Sequence, residues 1–440
     1  MPAFILHAVF VVSLLPYSIV IADNGVSANY FYVLLPLILA FVGIKRRIVP
    51  RPLILRAVAV YGAIYLVGFA EIFDQSYALE SETRRLASFW VFLFPLILSF
   101  IEFKPSDIDV FKRSVILVAL YASLTTMSSL SASNVALFEL KGQIGSQRFG
   151  FVLCLGFFLV LFNERPLFDR LVLLQRLVFG SILAAGMSLT FSRATLVAAL
   201  SGLAFGIVAT PSLVRLRGRS PRSRTREGYS ANLFRLTAAA AVIALVVVGF
   251  QIYTGTDLVE FYAARFFRPL ADMTLWRDTL RGEINSSEGY RTYVLARIFD
   301  YVAVHPLAGS SFRGLYLLYD EFSAGASTHN QYSDVILRTG LVGGAMWLYL
   351  LYRVVRFSRI DKGLQLGVVS ILVYGLFHET FKLSQGSFIF GMLLSFSFIA
   401  LPAGAHAALA ARAPIKPRPL PEPPPADFRG GWASPPPWRP

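Results

Sequence analysis

Long hydrophobic runs alternate with short polar segments along most of the chain. A transmembrane α-helix needs roughly 17–25 mainly apolar residues, and most of these runs approach that length. They predict helices near residues 3–22, 27–44, 53–73, 86–101, 110–130, 149–162, 171–189, 194–212, 236–254, 332–352, 364–380 and 386–402. The predicted fold class is therefore an all-α polytopic membrane protein with about twelve transmembrane helices.

One polar segment is much longer than the others and separates the ninth predicted helix from the tenth. The chain accordingly divides into four parts: nine helices over 1–254, a large loop over 255–331, three helices over 332–402 and a proline-rich tail over 403–440. The composition of the tail excludes a helix and is typical of an extended linker.

The large loop itself carries two amphipathic patterns. Apolar and basic residues interleave at helical spacing over 260–268, which suits a helix lying in the membrane interface. Over 289–304, helical spacing places four apolar residues on one face, namely Tyr293, Val294, Ile298 and Tyr301. The loop is therefore expected to form a small helical cap over one mouth of the bundle.

The composition supports the membrane class and excludes several soluble ones. Hydrophobic residues make up 55% of the 440 residues and charged residues only 15%, which is too little charge to cover a soluble domain of this length. The single cysteine, Cys154, excludes a disulfide within the chain and zinc sites built on several cysteines. It lies in an apolar run and is expected to pack as a small hydrophobic residue.

The net charge of +15 has an explanation in the membrane and does not require a nucleic-acid partner. Cytoplasmic loops of membrane proteins retain Lys and Arg, and the chain carries basic clusters at 215–226 and 353–362. These clusters predict that both termini are cytoplasmic and that the loop at 255–331 is periplasmic.

Two polar features stand out on the predicted periplasmic side. Arg193 follows Ser192 in a very short turn between two predicted helices, where a charge needs a partner or access to water. The alternative is a snorkelling anchor at a helix end. The second feature is the loop, with Arg291 at the start of its second helix and His329 at its exit.

These residue types suit chemistry on an anionic leaving group. Two guanidinium groups offer forked, permanently charged donors to a diphosphate, and histidine accepts a proton near neutral pH. Together they fit activation of an acceptor hydroxyl beside a diphosphate leaving group. The residue types do not name the substrate.

The order and spacing of these segments resemble the signature of a known family. The matching elements are Ser192-Arg193, then Arg291 before an amphipathic helix that ends in the HPLAG turn at 305–309. A third element comprises His329, Asn330, Tyr332, Gly340, Leu341 and Gly343. Over residues 145–350 the chain is therefore similar to the bacterial O-antigen ligase and polysaccharide polymerase superfamily.

The resemblance implies a fold, a reaction and a place in the cell. The implied fold is that of a GT-C-like glycosyltransferase, located in the bacterial inner membrane. The implied enzyme needs no metal or cofactor and inverts the anomeric centre of the transferred sugar. The donor is a glycan on undecaprenyl diphosphate, and the acceptor is lipid A–core or a growing polysaccharide. His329 is then the catalytic residue, Arg193 and Arg291 bind the diphosphate, and the whole site faces the periplasm among membrane lipids.

Further residues follow from the same motifs. Asn330, Tyr332 and Asp334 are candidates to orient His329 or bind sugar, with packing and capping as the alternative for Tyr332 and Asp334. Arg148 is a third candidate for the diphosphate. The family often has a Pro-Asn element in this region, which the segment around Arg148 lacks.

Other interpretations remain open on sequence grounds. Asp107 and Asp109 form a DxD pattern, interpreted as a solvated cytoplasmic loop, whereas His378 and Glu379 are candidates to line the outer cavity. A polysaccharide polymerase of the same superfamily is the first alternative function. A flippase or transporter of lipid-linked oligosaccharides is the second, although transporters usually place their charges at mid-membrane.

Overall fold

The computed structural model describes thirteen parts of the chain: residues 3–15, 18–20, 27–29, 46–69, 89–132, 146–163, 167–168, 171–190, 192–215, 260, 287–315, 328–382 and 384–399. The predicted helix at 236–254 and the proline-rich tail lie outside these residues. So does the predicted interfacial helix at 260–268, apart from its first residue.

Helices make up most of the described chain. They are α1 (Ala3–Leu14), α2 (Pro52–Phe69), a π-helix (Phe89–Leu93) leading into α3 (Phe94–Ser99), α4 (Pro105–Ala132), α5 (Ser146–Phe162), α6 (Val172–Leu189), α7 (Arg193–Arg215), α8 (Ser287–Val304), α9 (Gln331–Ser358), α10 (Lys362–Tyr374), a 3₁₀ turn (Thr380–Lys382) and α11 (Ser384–Phe396). Two short strands, β1 (Ser18–Val20) and β2 (Ser27–Asn29), pair antiparallel.

Several of these helices have the length and composition of membrane spans. Three are long and apolar enough to cross a bilayer, over Pro105–Met127, Val172–Leu189 and Gln331–Ser358. Six shorter apolar helices, each of 10–17 residues, coincide with further predicted spans. The described residues therefore support a multi-pass membrane protein, whereas the number of twelve spans stays a prediction.

The first predicted span is wrong in its second half. Helix α1 ends at Leu14, and Ser18 in β1 pairs with Asn29 in β2, where the second span was expected to begin. The sequence has proline at position 16, which cannot donate a helical hydrogen bond and disfavours helix at the residue before it. Most of the predicted helix at 27–44 lies outside the described residues.

The predicted span at 364–380 is also too long. Helix α10 ends at Tyr374, and Gly375 is its C-terminal cap. The Gly375 carbonyl, which has no partner inside the helix, accepts a hydrogen bond of 2.7 Å from the backbone N–H of Gln331. The end of α10 is therefore joined to the first residue of α9.

Helix α5 lies at the centre of the bundle. All its residues from Phe149 to Phe162 are buried, and it packs against α4, α6, α7 and α10. Small residues allow this close packing: a Cβ atom on Gly156 would lie 2.5 Å from the Cβ of Ala119 in α4. Cys154 is fully buried here, which confirms its predicted role as a small hydrophobic residue.

Helix α9 is broken at Gly340, where φ is 63° and ψ is −164°. In a continuous helix the N–H of Leu341 would bond to the carbonyl of Leu337. Instead, Leu341 donates to the carbonyl of Pro306 at 2.7 Å, and Leu337 accepts from the N–H of Ser310 at 2.6 Å. The HPLAG turn and Ser310, which follows it, thus satisfy the backbone groups that the break in α9 leaves open.

Candidate functional site

His329 lies in a tight turn immediately before α9. Its φ of 52° is in the left-handed region, which is uncommon for a residue other than glycine. The next residue, Asn330, is the N-cap of α9, and its side-chain oxygen accepts from the N–H groups of Tyr332 at 2.9 Å and Ser333 at 3.2 Å. His329 is therefore fixed at the helix start, partly exposed.

The other side of this turn is bound to the segment that follows α10. The backbone N–H and the hydroxyl of Thr328 both donate to one carboxylate oxygen of Glu379, at 2.8 and 2.7 Å. The side-chain oxygen of the fully buried Gln331 accepts from the N–H of Phe381 at 2.8 Å. The structure therefore places the carboxylate of Glu379 in contact with Thr328, the residue immediately before His329.

Tyr374, the last residue of α10, connects the starts of two more helices, α5 and α7. Its side chain hydrogen-bonds with Ser192, the residue before Arg193, and with the backbone of Gly150. A Cβ atom at Gly150 would overlap Thr195 and lie 3.0 Å from the Tyr374 ring, so the starts of α5 and α7 touch here. On the other side, the Tyr374 ring stacks on His378 at 4.9 Å.

These contacts bring together three of the candidate residues predicted from sequence. Arg148, Arg193 and His329 lie at or near the starts of α5, α7 and α9, which all meet the end of α10. The side chains of Arg148 and Arg193 are outside the described part of the chain. Their backbones therefore share one end of the bundle, whereas their roles in binding stay predictions.

Arg291 is the fifth residue of α8, and its side chain is half-buried. The predicted helix at 289–304 is confirmed, since α8 spans Ser287–Val304. Val294 and Ile298 are buried on its inner face with Leu337 of α9, as the sequence pattern indicated. Helix α8 thus packs beside the part of α9 between His329 and Gly340, and the proximity of Arg291 to His329 stays a prediction.

The other candidates have structural partners. The Tyr332 hydroxyl donates to the carbonyl of Leu372 at 2.8 Å, and its ring packs edge-on against Trp347. Asp334 is fully buried and accepts from Nε of Arg338 at 2.8 Å. These contacts correspond to the packing and capping alternative, and sugar binding by Asn330, Tyr332 or Asp334 stays untested.

Sequence reasoning missed Arg338. Its side chain is buried between Asp334 and the HPLAG side of the loop, where it also donates to the carbonyl of Phe312 at 3.2 Å. A Cβ atom at Gly314 would lie 2.8 Å from the same guanidinium group. The sequence signal that could have identified it is the spacing of Asp334 and Arg338, an acidic and a basic residue four positions apart inside an apolar span.

The DxD pattern is a structural element and does not form a solvated loop. Helix α4 already begins at Pro105, and Asp107 is buried in its first turn, where it pairs with Arg46 at 2.9 Å. Lys112 contacts both Asp109 at 3.0 Å and Asp361, the N-cap of α10, at 3.3 Å. The acidic pair therefore lies at the opposite end of α10 from Tyr374.

A comparison with known protein families gives a match. A family profile described as O-antigen ligase matches residues 178–348, a segment that contains Arg193, Arg291 and His329. No curated protein matches the chain. The profile match confirms the resemblance that the motifs predicted.

Proposed function

From the O-antigen ligase family match over residues 178–348, we propose that this membrane protein transfers a glycan from undecaprenyl diphosphate to an acceptor hydroxyl. The acceptor is lipid A–core or a growing polysaccharide, and the reaction takes place at the periplasmic face of the inner membrane. A polymerase of the same superfamily differs only in its acceptor, so ligase and polymerase are the two forms of the proposal.

One observation carries the proposal beyond the family. The starts of α5, α7 and α9 meet at the end of α10 through Tyr374 and the bond between Gln331 and Gly375. This arrangement supports a site in which two cationic residues, Arg148 and Arg193, share one end of the bundle with His329. A lipid diphosphate needs such a site at the membrane boundary, since its charge stays outside the hydrocarbon while its polyprenyl chain stays inside.

In the proposed reaction the acceptor oxygen attacks the anomeric carbon of the donor sugar from the face opposite the diphosphate. The bond between that carbon and the diphosphate oxygen breaks, which inverts the anomeric centre, and the lipid diphosphate leaves. His329 takes the proton of the acceptor hydroxyl. Arg193 and Arg291 stabilise the negative charge that develops on the departing diphosphate, a task that needs no divalent metal.

The site architecture supports His329 in this task. Both neighbours of His329 are held in place, Thr328 by Glu379 and Asn330 by the first turn of α9. A base whose backbone is fixed in this way loses little conformational entropy when it is positioned against the acceptor hydroxyl.

The test is glycan transfer in membranes that contain equal amounts of each variant. We expect His329→Ala, Arg193→Ala and Arg291→Ala each to lower transfer by roughly a hundredfold or more, the usual size for a lost acid–base or charge-stabilising group. Arg193→Lys keeps the charge without the forked donors, and full activity in it would contradict the diphosphate role. If a chelator abolished glycan transfer and added Mg²⁺ restored it, the proposal of a metal-independent reaction would be contradicted.

Analysis of the glycans in a deletion strain separates the two forms of the proposal. Loss of a ligase leaves long chains on the lipid carrier, whereas loss of a polymerase leaves single repeat units there. Loss of the finished glycan, with lipid-linked intermediates held on the cytoplasmic side, would instead identify a flippase and contradict both forms.

A further inference from the structure

The end of the bundle opposite His329 carries excess positive charge. Arg46 is balanced by Asp107, and Lys112 by Asp109 and Asp361. Six arginines near this end have no such ion pair in the described part of the chain, namely Arg47, Arg51, Arg56, Arg353, Arg356 and Arg359. Two of them, Arg51 and Arg353, are partly buried together and form a defined cluster.

Phe398 holds these two arginines in place. The guanidinium carbons of Arg51 and Arg353 each lie 4.3 Å from the centre of its ring. Arg51 also donates to the carbonyl of Ser395 at 3.2 Å, and Arg353 to the carbonyl of Ser397 at 3.1 Å. Both arginines thus cap the end of α11, and we call Arg51, Arg353 and Phe398 the arginine clamp.

The clamp has unused hydrogen-bond donors. Each guanidinium group has five N–H donors, and one of them is used by the carbonyl that each arginine binds. Nε of Arg353 is buried and has no hydrogen-bond partner among the described residues. The pKa of Arg51 is lowered to about 10, mainly by burial, while Glu102 raises it and repulsion from Arg353 contributes to lowering it. Two cations held at one ring are stabilised by an anion between them.

Apolar surface lies directly beside the clamp. Leu55 is one turn after Arg51 on α2, and Tyr349 is one turn before Arg353 on α9, so each lies on the same helix face as its arginine. Leu55 is 49% exposed and Tyr349 is 48% exposed, and both residue types are common on a surface in contact with lipid and its headgroups. A ligand for this place has an anionic head and a hydrocarbon chain.

We propose that the arginine clamp binds the phosphate of an anionic phospholipid headgroup, with the acyl chains along the faces that carry Leu55 and Tyr349. The forked donors of both arginines match phosphate oxygens, and the stacked ring keeps the donors in place before the lipid arrives. Unlike a general attraction of basic residues to the membrane surface, this contact depends on two particular arginines.

The experiment uses the purified full-length chain in neutral detergent. The thermal unfolding midpoint is measured during titration with phosphatidylglycerol, and separately with phosphatidylcholine, because a ligand of the native state raises the midpoint with its concentration. The variant is Arg51→Gln with Arg353→Gln. The matched control, Arg56→Gln with Arg359→Gln, removes the same charge from two exposed arginines at the same end.

We expect phosphatidylglycerol to raise the midpoint of the parent and of the control equally. The clamp variant should lose roughly tenfold or more in apparent affinity, since each charge-assisted hydrogen bond contributes about that factor. If the glutamine pair does not fold, Arg51→Lys with Arg353→Lys keeps the charge but lacks the fork, and the same loss is expected.

Four results would overturn the proposal. Equal losses of affinity for phosphatidylglycerol in the clamp and control variants would indicate a diffuse attraction between basic residues and the anionic lipid. An unchanged affinity in the lysine pair would show that the forked donors of arginine are not used. An equal response to phosphatidylcholine removes the need for an anionic lipid. A full response to inorganic phosphate alone shows that the acyl chains contribute nothing.

Discussion

Glu379 fixes the turn that carries His329 through a single carboxylate oxygen. That oxygen accepts both donors of Thr328, and a neutral amide oxygen accepts such bonds about half as strongly. We expect Glu379→Gln to lower glycan transfer by roughly tenfold and Glu379→Ala by more. The control is Thr328→Val, which removes only the hydroxyl donor and should have the smallest effect. Full transfer by Glu379→Ala in membranes with normal protein levels would show that the turn needs no such support.

The buried pair of Asp334 and Arg338 makes a prediction about stability. Removal of one partner leaves the other charge buried without compensation, which costs roughly 3–5 kcal/mol. We therefore expect Arg338→Met to lower the free energy of unfolding in detergent by about that amount, and Asp334→Leu added to it to restore part of the loss. Arg356→Met, at an exposed position on the same helix, is the control. Equal stability of the Arg338 and Arg356 variants would contradict the buried pair.

Sequence patterns predicted those elements whose signal is local. The predicted helices at 171–189 and 289–304 agree closely with α6 and α8, because apolar periodicity determines both. The contact of Thr328 with Glu379 joins positions far apart in the sequence, and no local pattern indicates it. Asp107 was misinterpreted for a similar reason, since its burial depends on Arg46 from a distant segment.

At the scale of elements, the break in α9 depends on Gly340. Its φ of 63° is unfavourable for other residues, and a Cβ atom there would lie 2.5 Å from the carbonyl of Leu307 in the HPLAG turn. We expect Gly340→Ala to destabilise the protein by roughly 1–3 kcal/mol and to lower transfer, because α8 and the first part of α9 are joined through this turn. Thermal unfolding and the transfer assay measure both effects.

The same helix offers a matched control for this prediction. A Cβ atom at Gly344 would meet only a side-chain carbon of Ile336 at 3.4 Å, an ordinary contact. Gly344→Ala should therefore leave stability unchanged or slightly raised, since alanine has the higher helix propensity. If the two variants behave alike, the backbone break at Gly340 does not hold the loop against α9.

At the scale of the whole molecule, orientation in the membrane decides whether the proposed reaction is possible. Substrates on the periplasmic side reach His329 only if the start of α9 faces that side, and the basic residues near the end of α9 favour this orientation. The chain is well suited to a labelling test, because its one cysteine, Cys154, is fully buried in α5 and should not react.

Two cysteine substitutions report on the two ends of α9. Leu307 is 70% exposed in the HPLAG turn, and Arg359 is exposed directly after the last residue of α9. We expect a membrane-impermeant maleimide to label Leu307→Cys in intact spheroplasts and to label Arg359→Cys only after permeabilisation. The unsubstituted chain should remain unlabelled in both conditions. The reverse pattern would put His329 on the cytoplasmic side, where it could not act on a periplasmic acceptor.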